Sequence, residues 1–533
     1  MNAKDTKVME RGEDVEKTSL HEVNADHGAE TQLQRQLGSR HLTMIALGSS
    51  IGMGFWLGSG AALSKGGPAS LLLGFFLAAT IVWSVCHAMG EMAVMYPLPS
   101  AFVQWSSIFV SPAAGLALGW AYWLQYCITM GNELQICSII LGFWTDKIPK
   151  VAIIIMFLVF IIAVNIFAVK VFGEVEVVAS TIKFLYIFVI IISMIVISAG
   201  AAPKGEPIGF RYWNKEAFIG GFKGFLAVLP TCVFSMSGSE NSGLVACEVH
   251  NPQKSVPKSV GSIWLRLSAF YLLGTVAVSI STDPQNPDLF GNGGTNASPF
   301  VIAFRNSGLS PLAHITNAII LISVLSNGSI TIYSSSRTLV GLSHLGMAPK
   351  QLQWADSMGR PWVAIIPSVI LGGGLAFLTL DNGGTEVFNW LSNLVSLLSL
   401  FGWGMICLTN IRMRAAWTAQ GRTFDNLPWK SWTAPYGAWW GLFWCIVLII
   451  VEFYLAVWPY HDKTSAKNFF ATFVCVPTVL VIYLGGQAFY RTAWVTDKNA
   501  VDLDGSRRFY SEYNFEETKP RGKIAKAVKF LFD

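Results

Sequence analysis

The sequence predicts an all-α polytopic membrane protein, and three observations carry that class. Of its 533 residues, 53% are hydrophobic and 13% charged, whereas soluble domains average about 25% charged. The apolar residues gather into about twelve segments of roughly 20 residues, the length a helix needs to cross a bilayer. The 20 Trp and 35 Phe suit a chain that anchors many helix ends at membrane interfaces. A soluble enzyme is excluded, and a net charge of +5 gives no reason to expect a nucleic-acid partner.

Residues 1–41 are polar, rich in charge and poor in aromatics, and lack the apolar core of a signal peptide. They are expected to form a disordered cytoplasmic tail. Residues 42–492 form the transmembrane domain. Its expected spans are Thr43–Leu63, Ala69–Met95, Pro112–Phe143, Val151–Val169, Val175–Ala199, Phe222–Cys247, Val260–Ser281, Leu309–Val340, Val363–Leu380, Val387–Ile411, Tyr436–Trp458 and Phe470–Tyr490. The third and eighth exceed a perpendicular crossing and are expected to tilt. Residues 493–533 form a charged C-terminal cytoplasmic tail.

Basic residues beside the spans set the orientation. With the N-terminus inside, Lys170, Lys254, Lys258, Arg337, Lys350, Arg360, Arg412, Arg414, Arg422 and Lys430 fall in cytoplasmic loops, against Lys147, Lys150, Lys204, Arg211 and Lys215 on the other side, so the bias is clearest in the second half. An even span number then puts both termini inside, in a multi-pass protein expected in the plasma membrane. Asn296 and Asn327 match the glycosylation pattern, but Pro299 follows the first site closely and the second lies within a span. The eight Cys are scattered through apolar segments and the eight His show no ligand spacing, so neither a metal nor a cofactor is expected. No nucleophile–base pair or phosphate loop supports catalysis.

The first span is interrupted. Leu47 to Gly60 reads LGSSIGMGFWLGSG, and Gly and Ser at that density weaken a helix and permit unusual backbone angles. A broken backbone inside a membrane is tolerated only against protein or a wet cavity. Taken alone, such residues serve equally well to let another helix pack closely. The sixth span carries a second such stretch, Phe234 to Gly243 (FSMSGSENSG). Two broken helices five spans apart predict a 5+5 inverted repeat, spans 1–5 and 6–10, with a binding site at the midplane. The free N–H groups of one half-helix favour an anion, and the freed carbonyls of the other a cation. Together they suit a zwitterion, with carboxylate on Ser50, Ile51, Gly52, Met53 and Gly54 and ammonium on the carbonyls around Phe234, Ser235 and Ser237.

The chain resembles a fungal-type amino acid permease of the amino acid–polyamine–organocation superfamily. The resemblance runs from about Arg40 to Arg491 and is carried by Ile45–Gly60, Gly66–Ser70 (GGPAS), Gly90–Ala93 (GEMA) with Tyr96 and Pro97, Gly119–Trp123 (GWAYW), and Asn132 with Glu133. In the second half it is carried by Asn251–Pro257 (NPQKSVP), Ser334–Leu339 (SSSRTL), Gly346–Lys350 (GMAPK) and Phe388–Leu391 (FNWL). It implies the 5+5 fold, alternating access, and amino acid uptake coupled to protons. It also implies roles: Ser50–Gly54 as the carboxylate loop, Phe234 as a lid on the substrate, Glu240 toward the inner gate, and Lys183 approaching span 1. Met53 stands where the family has a small or hydroxyl residue, and its bulk is expected to bear on substrate choice.

Ionisable groups within a span are expensive and point to function. Lys183 and Glu240 are read as coupling or gating groups, with a hydrogen-bonding role for Lys183 as its alternative. Glu133 meets the substrate side chain or braces the third span. Glu91 reads as structural; Asn327, with Ser326 and Ser329, lines the cavity or bonds to backbone, the structural role being favoured. Glu174 and Glu176 precede Lys183 and are expected in solvent near the membrane surface. The implied partners are an amino acid, protons and the bilayer, with the tails open to regulatory contacts. Alternatives are a carrier of cationic amino acids, polyamines or related amines, for which Glu133 is the obvious acidic candidate, and an amino acid sensor with little flux.

Overall fold

The computed structural model describes residues 39–507, except 99, 168, 205, 242, 244–250, 291–296, 381–382 and 461–463. Both extreme tails, Asn296 and Cys247 therefore lie outside the described residues. The described chain is helical, and a single isolated bridge pairs Leu289 with Ala297. Seven helical stretches are long and apolar enough to cross a bilayer, or eight if a bent pair counts as one; two shorter apolar helices are Lys150–Ile166 and Gly221–Met236.

The first helix, α1, covers Ser39–Ser50. It stops because Ser49 and Ser50 both turn their hydroxyls back onto the Ala46 carbonyl, at 3.0 Å each, in competition with the helical ladder. The chain resumes as a π-helical turn at Gly54–Gly58 and runs into α2, Ser59–Met95. Gly67 breaks α2 sharply with φ +81. A Cβ there would lie 2.6 Å from the Glu216 carbonyl oxygen, so only glycine fits where the first two expected spans meet at this kink.

Next come α3 (Ala101–Phe109), α4 (Pro112–Leu141), α5 (Lys150–Ile166) and α6 (Val169–Ser198). The short α7 (Arg211–Glu216) leads to α8, Gly221–Met236. The α8 helix ends where Ser237 turns extended and Gly238 takes φ +93. The second interruption thus falls at the Gly/Ser stretch. Beyond it, α9 (Pro252–Ser281), α10 (Pro299–Asn306), α11 (Ser310–His344) and α12 (Trp362–Ala376) follow. Then come α13 (Gly384–Ala419) and α14 (Tyr436–Val457). Last are α15 (Ala466–Phe473) and α16 (Cys475–Tyr490), bent by 57°.

Two helix starts differ from expectation. The α9 helix starts at Pro252 rather than Val260, because the Asn251 side chain accepts from the Lys254 N–H and Pro suits the first turn. The α6 helix starts at Val169 rather than Val175. The short α3 and α10 helices, after the second and seventh expected spans, were not anticipated, being too short for a hydropathy signal.

In the packing, α4 runs against α11, α12, α13 and α16, while α2 lies against α8 and α9. Large apolar side chains on the outer faces of α6, α14 and α16 stay exposed, including Leu185, Ile192, Ile450 and Val481. Lipid is the fitting surround for those faces. Glu91 is buried and ion-paired to Arg414 of α13. The seven described cysteines are free and buried.

The start of the C-terminal tail folds back onto the helix ends. Thr496 N–H donates to Val110 O at 2.7 Å, Tyr96 Oη to Leu503 O at 2.9 Å, and Arg422 grips Asp504 with two bonds of 2.7 and 2.5 Å. That guanidinium fork holds the Asp504 carboxyl below the usual carboxylate range.

Candidate functional site

Both interruptions open onto one buried chamber. Its walls include Ser49, Ser50, Gly52 and Gly54 from the first break, and Phe234, Ser235, Ser237, Gly238 and Asn241 from the second. The α4 helix adds Gln125, Tyr126, Thr129 and Glu133, and α11 adds Asn327, Ile330 and Thr331. The chamber is contracted: about 20 Å³ is open to the centre of a water molecule, room for about one water. Anything larger enters only when the walls separate.

The broken backbones are held by side chains of other helices. Tyr271 of α9 donates its hydroxyl to Ser50 O at 2.5 Å and also to Ser235 O, tying the two breaks together. Ser323 of α11 donates to Ile51 O at 2.7 Å and accepts from Trp56 Nε1 at 3.0 Å. Ser49 Oγ donates to Gly238 O at 2.8 Å, a second tie between the breaks. Freed carbonyls thus find donors, as a membrane interior demands.

Glycine is required where the chain is most crowded. A Cβ on Gly52 would sit 2.7 Å from Asn327 Nδ2 and 2.8 Å from Glu133 Oε1. A Cβ on Gly54 would sit 2.7 Å from both Ser235 Cα and Ser235 Oγ. The second half-helix begins at Gly54, so its electropositive N-terminal end lies at the chamber.

Of the residues expected in the site, Ser50, Gly52, Gly54, Phe234, Ser235, Ser237 and Glu133 line this chamber. Ile51 and Met53 do not; both are buried in the apolar core, and Ile51 contributes its carbonyl to Ser323. Phe234 packs edge-on to Phe388, with ring centres 6.0 Å apart. Lys183 stands behind α1, donating to Gly48 O at 3.0 Å. Glu240 is fully buried below the second break and accepts from Gly238 N and from Trp403 Nε1, each at 3.0 Å. Glu133 accepts from Asn327 Nδ2 at 2.5 Å, which makes Asn327 part of the wall.

One expectation is corrected. Glu174 does lie near the surface, 43% exposed and 3.1 Å from His41 Nε2. Glu176 is fully buried, and Ser326 Oγ donates to it at 2.5 Å. Because α6 starts six residues earlier than expected, Glu176 lies roughly 10 Å inside the helix end, at 1.5 Å per residue. Tyr271 was also missed. A tyrosine within an apolar span needs a partner for its hydroxyl, and that was the available signal.

Comparison with known proteins decides the family. A family model described as amino acid permease matches residues 41–499. The chain belongs to the amino acid permease family. It is 38% identical to the general amino-acid permease GAP1 of Saccharomyces cerevisiae, over 90% of this chain and 81% of that protein. It is 37% identical to the amino-acid permease GAP5 of Candida albicans, over 92% of this chain and 79% of that protein. It is also 37% identical to the cationic amino acid transporter 1 of Schizosaccharomyces pombe, over 94% of this chain and 87% of that protein. A crystal structure of a manganese transporter from Eremococcus coleocola, 12% identical, matches with a TM-score of 0.54 over 85% of this chain and 93% of that chain. That likeness speaks for the fold alone. This permease is therefore a multi-pass membrane protein and a transporter rather than an enzyme, with an amino acid as its small-molecule substrate.

Proposed function

We propose that the chain is a secondary active transporter that takes up amino acids together with protons by alternating access. In this reading it has twelve spans, the first ten forming a 5+5 inverted repeat, and sits in the plasma membrane with both termini cytoplasmic. The observation that carries it is the meeting of two interrupted helices at one buried polar chamber. The placement of short α3 after the second span and short α10 after the seventh supports the paired halves.

The amino acid carboxylate lies on the backbone of Ser50–Gly54, with Ile51 and Met53 shaping that backbone from behind. The ammonium lies on carbonyls of the Phe234–Ser237 turn, and Phe234 closes over the substrate. Lys183, Glu133 and Glu240 are the coupling and gating groups. A buried charge is costly in a membrane, so protonation of a carboxylate there and substrate binding together favour closure of the separated walls around the cargo. Reopening on the other face then releases both.

A second reading has one observation in its favour. Glu133 lines the chamber and its Oε2 has no hydrogen-bond partner among the described residues. A free carboxylate oxygen suits a cationic side chain, so basic amino acids or related amines are the alternative cargo. Uptake in a host lacking its own permeases, with the common amino acids and amines as competitors, separates the two. Neutral amino acids competing as well as basic ones support the broad carrier; competition confined to amines supports the alternative. Uptake indifferent to external pH would contradict proton coupling.

A further inference from the structure

Three ionisable side chains are buried together beside the end of α1: Glu133 of α4, and Glu176 and Lys183 of α6, each no more than 1% exposed. Consecutive residues of α11 serve the two carboxylates. Ser326 Oγ donates to Glu176 Oε2 and Asn327 Nδ2 to Glu133 Oε1, both at 2.5 Å. Lys183 is buried in the same cluster. Its Nζ donates to Gly48 O at 3.0 Å, and Glu176 Oε2 is 3.6 Å from where a Gly48 Cβ would sit. The lysine charge acts on both carboxylates. One oxygen of each acid, Glu176 Oε1 and Glu133 Oε2, has no hydrogen-bond partner among the described residues. The other charged groups facing α6 are Glu174 with His41 at its end, and Arg266 of α9 near the Phe184 ring. Of all these groups, Lys183 is the one whose charge reaches Glu176.

Charge counting then assigns the proton. With all three groups ionised, the cluster carries one net negative charge within the membrane. An α-amino acid with a neutral side chain is a zwitterion and leaves that count unchanged. One added proton neutralises the cluster, and the unpartnered carboxylate oxygens are where an O–H bond can form.

We propose that the transported proton rides on the Glu133–Glu176 carboxylate pair, with Glu176 as its cytoplasmic-side acceptor and Lys183 staying charged as the fixed counter-ion. The inference rests on the proton-coupled reading above. The proton arrives from the outer face with the substrate, forms an O–H bond on one carboxylate, passes to Glu176 and leaves to cytoplasmic water. Lys183 neither gains nor loses a proton in the cycle.

The test uses the full chain in liposomes with a pH dye inside and a radiolabelled mixture of the twenty standard amino acids outside. Under an inward proton gradient, Glu176→Gln should lose accumulation at least tenfold while still exchanging label with a preloaded interior. Lys183→Arg, which cannot release its proton, should slow transport but still carry label above equilibrium with proton entry. Wild-type accumulation by Glu176→Gln overturns the inference. So does a Lys183→Arg protein that exchanges label but no longer accumulates it, since the proton would then belong to the lysine. In both cases proton coupling itself stands. A wild-type chain that accumulates label without proton entry defeats the coupling reading instead. Should Lys183→Arg fail to reach the membrane, Glu176→Asp decides. Retained accumulation with a shifted pH profile supports a proton site, and loss equal to that of Glu176→Gln marks a structural carboxylate.

Discussion

The two interrupted helices meet the same difficulty by different means. At the first break, the freed carbonyls of Ser50 and Ile51 are satisfied from outside, by Tyr271 of α9 and Ser323 of α11. At the second, outside donors also act, Tyr271 on Ser235 O and Ser49 on Gly238 O, but local bonds are added: Ser237 Oγ returns to Phe234 O at 2.8 Å and Gly238 N–H donates to Glu240. The first break therefore takes its shape from its neighbours, and the second adds a local frame to outside ties, with Trp403 on Glu240. In an alternating carrier, the first break is then the one that responds when helices shift, and the second is the firmer wall.

Substitutions can break or sharpen that contrast. The largest effect is expected at Gly52, where any side chain meets the Asn327–Glu133 pair. Gly52→Val should weaken amino acid binding more than about 100-fold, which corresponds to about 2.8 kcal/mol at 1.4 kcal/mol per decade; a competition assay reads it, and normal affinity would remove the first break from the site. Next is Glu240→Gln, which keeps the frame but removes the charge. It should cut concentrative uptake roughly tenfold, about 1.4 kcal/mol, while binding is kept; equal loss of both would make Glu240 part of the substrate pocket.

Tyr271→Phe should come third. It leaves two buried carbonyls short of a donor, at about 1–3 kcal/mol for each, and thermal unfolding in detergent should fall measurably. Ser237→Ala removes one local bond and should cost about 0.5–1.5 kcal/mol. Equal effects of the two would erase the distinction between the breaks.

The smallest effect belongs to the docked tail. Asp504→Asn should change stability by about 0–1 kcal/mol, as exposed pairs do. The Asp504 carboxyl is held below its ordinary value by Arg422, so this contribution is full above about pH 4 and fades as pH falls through the depressed value. Protease cleavage after α16 should thus be flat across neutral pH.

Both breaks were legible in the sequence because Gly and Ser announce them through propensity. The kink at Gly67 was likewise legible as the gap between two apolar runs. What escaped were features set by partners rather than by local composition. Glu176 was misplaced because hydropathy put the helix start at Val175, whereas packing carries it back to Val169. Met53 departs from a familiar pattern, yet it is not among the residues that line the chamber. Composition alone leaves Asn327 between a structural role and the cavity wall, and its place in the wall depends on Glu133 from another helix.

The central claim is that the chamber between the two breaks carries an amino acid together with a proton. Its most direct measurement is simultaneous amino acid and proton entry into liposomes holding the full chain, with an imposed pH gradient and no other ion gradient. The account predicts that labelled amino acid rises above equilibrium while protons enter with it, and that collapsing the pH gradient stops the accumulation. Accumulation that persists after collapse, or uptake that never exceeds equilibrium, would contradict it.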